Sequence, residues 1–160
     1  MDLNNTHYVV ATAIIIKDGK YLIAKRSSKE KVNPNQWTVP CGKLELKDYS
    51  KRIKDTSMHW YNIFENLIKR EVMEEVGLEI KKLKYLTSLA FIRQDGVPTV
   101  VASFFADYKS GNVKLSNDLT DYAWVNLEEA KKYELIEGIY EELEMLDFHL
   151  KGNSIDEWKK

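Results

Sequence analysis

The sequence holds a single cysteine, Cys41. No intrachain disulfide can form, which excludes the disulfide-stapled secreted class and fits a reducing cytosol. Charge of one sign is not in excess either: 24 Lys and Arg stand against 25 Asp and Glu, a net charge of −1. That balance gives no global attraction to a polyanion, so no nucleic-acid polymer is expected as a partner. A small anionic ligand stays compatible, because local cations or a metal ion can meet it. No apolar run is long enough to span a membrane, and the N-terminus lacks a basic-then-apolar leader pattern; no membrane partner and a cytoplasmic location are expected. Internal repeats and low-complexity segments are absent. The three histidines, His7, His59 and His149, are scattered without ligand spacing, so a His/Cys metal centre is not indicated.

What is present reads as one soluble domain over residues 1–160, with 44% hydrophobic and 31% charged residues. Tyr8 to Ile16 and Tyr21 to Lys25 are β-prone runs joined by Lys17-Asp18-Gly19-Lys20, a hairpin signal. A polar loop follows, then Trp37-Thr38-Val39-Pro40 as a short strand. Thr56-Ser57 offers a helix N-cap, and a helix is expected from about Met58 to Val76 with Gly77 as its terminator. Leu78 to Ile92 and Thr99 to Tyr108 are strands around an Asp95-Gly96 turn, the second apolar enough to suggest burial on both faces. Asp118 to Val125 gives a last strand, Asn126 starts a short helix, and Ile136 to His149 reads as a terminal amphipathic helix. Strands on both sides of a central helix, with a helix at the end, fit an α/β fold: an α/β/α sandwich around a mixed sheet.

The central helix carries the chemistry. One i,i+4 row reads Trp60, Phe64, Ile68, Val72, Val76 and must be buried. The adjacent row begins with Ile63 and Leu67 and then turns acidic at Glu71 and Glu75. Glu74, three residues after Glu71, brings a third carboxylate to the border of the buried stripe. This placement is locally unfavourable: Glu71 and Glu75 repel at i,i+4, and all three acids lie toward the C-terminal, negative end of the helix dipole. Partly desolvated acids need a counter-charge. A hard divalent cation, Mg²⁺ above all, suits oxygen ligands converging from one face. From spacing alone, a solvated acidic helix end with Lys69 and Arg70 as loose partners is an equal reading.

Arg70-Glu71-Val72-Met73-Glu74-Glu75-Val76-Gly77-Leu78 resembles the second half of the Nudix box at every fixed position. Pro40-Cys41-Gly42-Lys43-Leu44-Glu45 resembles its first half, and the resemblance continues in the order of parts from roughly His7 to Leu146. Two departures stand out. Cys41 replaces the first of two glycines, and Arg70 lies 22 residues beyond Asp48 rather than eight, so 14 additional residues interrupt the box. The insertion loop is placed at residues 47–58, and two readings stay open for it: a surface loop, or a lid bringing Lys51, Arg52 and Lys54 near phosphates.

The resemblance implies an enzyme that hydrolyses a phosphoanhydride of a nucleoside diphosphate linked to another group, most simply a nucleoside triphosphate pyrophosphohydrolase. ADP-ribose, nucleotide sugars, or nucleotide sensing without cleavage are the alternatives it leaves. It implies Glu71, Glu74 and Glu75 as ligands of Mg²⁺ (or Mn²⁺), with the Cys41 backbone carbonyl beside them. Glu71 would be ligand or general base, and Arg70 would orient a helix carboxylate. Arg26, Lys43 and Glu45 are the implied substrate contacts, and Asp118 or Asp121 the implied loop base. A small nucleotide is the implied partner, and a homodimer is compatible.

Overall fold

The computed structural model describes residues 5–154, 157 and 158; the other positions of the expected 1–160 domain lie outside the described residues. Strands β1 (Tyr8–Lys17) and β2 (Lys20–Arg26) form the hairpin around Asp18 and Gly19, at φ 50° and 72°. Both turn residues adopt positive φ, as a tight two-residue turn between right-twisted strands requires. Away from the turn the strands part. Beyond the pairs Ile16–Tyr21 and Lys17–Lys20, β1 pairs with β4 (Cys41–Lys43) and runs parallel to β6 (Pro98–Ser110). β2 turns instead to β3 (Trp37–Thr38) and β7 (Leu119–Val125). β5 (Glu79–Ile92) closes the far edge against β6, completing a mixed seven-stranded sheet.

Alternating side chains of β1 and β2 feed two separate cores. Ala11, Ala13, Ile15, Leu22 and Ala24 pack with Leu67, Ile68, Val72 and Val76 of helix α2 (Ile63–Val76). Ile14, Tyr21 and Ile23 face the other way, toward Ile139, Leu143 and Leu146 of helix α4 (Ile139–Leu150). The short helices are α1 (Lys47–Ser50) and α3 (Leu127–Ala130). Asn126 and Glu129 close a reciprocal capping box at the start of α3. The expected sandwich is therefore the observed one, with helices on both faces of a mixed sheet.

Two helix starts and one burial pattern differ from expectation. Helix α2 begins at Ile63, not Met58, and Asn62 before it is left-handed at φ 55°. The Thr56 hydroxyl accepts from the Met58 and His59 amides, and Asp55 accepts from the Tyr61 amide. These local bonds give residues 55–61 an alternative to helix, so Thr56 builds a turn rather than the cap. Trp60 thus leaves the buried stripe and packs on Tyr49, 5.3 Å between ring centroids. Helix α4 starts at Ile139 because Gly138 is left-handed at φ 92°. In β6, Val100, Ala102 and Phe104 are half-buried while Val101, Ser103 and Phe105 are buried, so only one face is fully covered.

Among the described residues, one charged residue is buried. Glu142 of α4 accepts from the Ser103 hydroxyl at 2.9 Å, and burial pushes its carboxyl up to about 7 from 4.5. Between those two values the folded chain holds a proton that the unfolded chain releases, so stability falls as pH rises through that window and levels off above 7. Glu142→Gln keeps an acceptor for Ser103 and removes the ionisation. In chemical denaturation from pH 4.5 to 8.5, the variant should gain roughly 3 kcal/mol on the wild type across this range, following the size of the shift.

Candidate active site

The site grows from the last two turns of α2, where the helix passes the end of β4. Gly42 lies in register with Ala11 and therefore on the α2 side of the sheet. A methyl group at Gly42 would collide with the Glu71 side chain, so glycine is what lets the carboxylate lie on this strand. Cys41 needs no glycine, since its backbone does not enter the positive-φ region. Its amide donates to Glu75 Oε2 at 2.9 Å.

Arg70 holds the rest of the cluster. Its guanidinium contacts Glu71 Oε1 at 2.8 Å, Glu74 Oε2 at 2.9 Å and Asp48 Oδ1 at 2.9 Å. Asp48 is largely buried and also accepts from the Glu45 amide at 2.7 Å, which ties the inserted segment to the helix. One cation thus serves three acids, while Glu75 has none in direct contact among the described residues. Burial pushes Glu75 up to about 7; the Cys41 amide and Arg26 oppose the shift, and Glu71 and Asp118 add to it. Glu71 is raised too, first by burial, then by Glu74 and Asp48 against the pull of Arg70. The cluster holds more negative charge than its protein partners neutralise.

The other residues singled out from the sequence divide into near and far. Arg26 is close enough to Glu75 to lower its pKa, while its own guanidinium bonds the Val32 carbonyl and pairs with Glu30. Asp118 is exposed on the loop before β7, and its charge reaches Glu75. Asp121 is exposed on β7, accepting from the Tyr122 amide. The side chains of Lys43 and Glu45 turn away from the glutamates of α2. Lys43 shares the sheet face of Val10, and its Nζ lies 4.6 Å from the centre of the Tyr8 ring; Glu45 pairs with Lys47 at 2.7 Å. Glu30 joins the site without having been singled out, and its only sequence signal is i,i+4 spacing from Arg26.

Among the described residues no three acids share one ready-made metal position. Arg70 draws Glu71 and Glu74 to itself, and the Cys41 amide draws Glu75, as expected of carboxylates with only protein partners. The donor set nonetheless fits a hard cation: half-buried carboxylate oxygens, raised carboxyl groups and a glycine strand leaving space for Glu71 alone. In the insertion, Lys47 and Lys51 line a cavity of about 500 Å³ with Asp48, Asn66, Leu67, Arg70 and Glu74. Lys54 turns instead to Trp60, 5.2 Å from its ring centre, and Arg52 to Asp55.

The NUDIX domain family model matches residues 7–145. The chain belongs to the Nudix hydrolase family. It is 26% identical over 137 residues to the nucleoside triphosphatase NudI of Escherichia coli, covering 79% of this chain and 86% of that protein. It is 34% identical over 67 residues to the NAD-capped RNA hydrolase NudC of Actinobacillus succinogenes, a match to 41% of this chain that spans only 24% of that protein. Among solved structures, a MutT Nudix hydrolase from Burkholderia pseudomallei shares the fold at TM-score 0.70 and 23% identity, covering 89% of this chain and 99% of that one.

The close approach at Gly42 makes a specific prediction for this Nudix chain. Gly42→Ala must displace Glu71, so activity on any substrate should fall by at least about tenfold, with the fold retained by circular dichroism. Cys41→Gly keeps the amide that Glu75 uses and should stay within about threefold of the wild type in the same assay.

Proposed function

We propose that this chain is a divalent-metal-dependent pyrophosphohydrolase of small nucleotides, with nucleoside triphosphates as the substrate class. The observation that carries this reading is the excess of half-buried carboxylate at the end of α2, held in place by Arg70 and Asp48. The match with NudI along most of both chains supports the substrate class, and the match with NudC is too partial to choose an RNA cap. The whole chain, residues 1–160, is taken as one catalytic domain.

Glu71, Glu74 and Glu75, with the Cys41 carbonyl beside them, are the groups that would hold Mg²⁺ or Mn²⁺. The bound cation supplies charge neutralisation for the phosphates and a lowered pKa for an attacking water. The residues of the chain do the positioning. Arg70 fixes the directions of Glu71 and Glu74 through charge-assisted bonds, and the Cys41 amide fixes Glu75. Glu71, raised by burial and pressed against Gly42, is the base the geometry favours over the exposed Asp118 and Asp121. Arg26 lies on the same side as Glu75 and can exchange Glu30 for a substrate phosphate. Since the scissile group is polyanionic, positioning and charge compensation carry most of the catalysis.

The test is release of phosphate and pyrophosphate from a panel of nucleoside triphosphates, ADP-ribose and nucleotide sugars with Mg²⁺. Triphosphates should yield pyrophosphate, and Glu74→Gln should lose at least about a hundredfold in kcat. Turnover that survives Glu74→Gln contradicts the site assignment, and turnover confined to ADP-ribose or nucleotide sugars corrects the substrate.

A further inference from the structure

The inserted segment is built rather than loose. Asp48 of α1 accepts from the Glu45 amide at 2.7 Å and from the Arg70 guanidinium at 2.9 Å, which fixes α1 against α2. The far end of the segment returns to α1 through Trp60. Its ring packs on Tyr49 at 5.3 Å between centroids, and its Nε1–H donates to the Arg52 carbonyl at 3.0 Å. The Lys54 cation lies 5.2 Å from the centre of the Trp60 ring and Arg52 faces Asp55, so both are occupied within the insertion. A mere connection from β4 to α2 needs none of these contacts, since a longer flexible loop closes almost as readily as a short one.

What these contacts frame is the cleft of about 500 Å³ between α1 and α2. Asn66, Leu67, Arg70 and Glu74 form one wall, at the i,i+3 and i,i+4 spacings that share a helix face. Lys47 and Lys51, one turn apart, form the other with Asp48. The charges in the cleft do not cancel. Both carboxylates in its lining, Asp48 and Glu74, are bonded to Arg70, and Lys47 pairs with Glu45 at 2.7 Å. Lys51 is exposed in the cleft and forms no ion pair among the described residues. An unpaired lysine on a surface is ordinary, but this one lines the same cavity as Arg70 and Glu74, which also belong to the acid cluster. Spare negative charge in the cluster and a spare cation in the adjoining cleft suit a polyphosphate, metal-bound at one phosphate and held by lysine further along. No aromatic ring is among the lining residues, so a nucleobase would find nothing there to stack on.

Resting on the nucleotide reading above, we infer that the α1–α2 cleft seats the terminal phosphate of a nucleoside triphosphate, with Lys51 its main ligand and Lys47 a second. Lysine suits this role as a compact point charge with three donors on a flexible stem. Lys47 can exchange Glu45 for the phosphate, because that pair is exposed and contributes little. The seat gives the insertion a task, which is to tell a triphosphate from a diphosphate derivative. ADP-ribose and nucleotide sugars carry a sugar where the third phosphate would be, and so lack the charge that Lys51 takes.

Phosphate chains whose bridging oxygens are replaced by methylene groups test this without a base and without turnover. Calorimetric titration with Mg²⁺ present compares the triphosphate analogue with the diphosphate analogue. The wild type should bind the triphosphate analogue about tenfold or more tightly, as one charge-assisted bond to the extra phosphate provides. In Lys51→Met that ratio should fall to within about threefold of one, while Lys51→Arg keeps most of it and Lys54→Met leaves it unchanged. A purely structural role for Lys51 would weaken both analogues alike, so the ratio is the readout. A ratio near one in the wild type, a ratio that survives Lys51→Met, or no binding of either analogue would each overturn the assignment. A Lys51-dependent ratio without hydrolysis of any triphosphate would leave the seat standing and reject the hydrolase reading; triphosphate hydrolysis without a Lys51-dependent ratio would do the reverse.

Discussion

Partial desolvation of carboxylates is the constraint on which the rest of this structure depends. Glu71 and Glu75 share a helix with Leu67, Ile68, Val72 and Val76, and packing those four against the sheet carries both acids out of bulk water. The core that stabilises α2 is therefore also what raises the carboxyl pKa values. Arg70 answers part of the deficit, but it is itself held by Asp48 from the inserted segment. Severing the Asp48 contact would leave Arg70 to two partners and loosen the tie between α1 and the acids. Fold stability and site geometry are coupled through this one guanidinium.

The parting of β1 and β2 after their shared turn explains how one sheet serves two cores. Each strand buries alternate residues on opposite faces, and neither face is wide enough until β6 joins β1 in parallel and β7 joins β2. The acids then sit at the margin of the α2 core, while the chain Thr12–Ser103–Glu142 sits at the margin of the α4 core. Both are polar groups placed where packing ends. The difference is that the first set has a protein cation and the second has none within bonding distance among the described residues.

Much of this was legible in the sequence, where the signal is local or periodic. The Asp18-Gly19 turn, the stripe Ile68-Val72-Val76 and the glutamates beside it follow from turn chemistry and helical spacing. That Gly42 leaves room for Glu71 was not legible, because only the fold brings the strand and the helix together. The start of α2 was misread because Asp55 and Thr56 bond to backbone amides nearby, and that competition depends on loop shape rather than propensity. Lys43 and Glu45 were implied as substrate contacts by their place in the motif, and where their side chains go was not legible. Strand register turns Lys43 to the opposite face, and Lys47 takes Glu45. Glu142 was invisible as anything but one more acid on an amphipathic helix; only the fold brings Ser103 against it.

The central claim is that the acids of α2 form a cation site in this chain. Manganese binding followed by electron paramagnetic resonance tests it directly, with no assumption about substrate. The wild type should remove free Mn²⁺ from solution in competition with Mg²⁺, and Glu71→Gln and Glu75→Gln should each weaken that binding by about tenfold or more. Binding of equal strength in the wild type and both variants would contradict the account, as would no binding by the wild type at millimolar protein and metal.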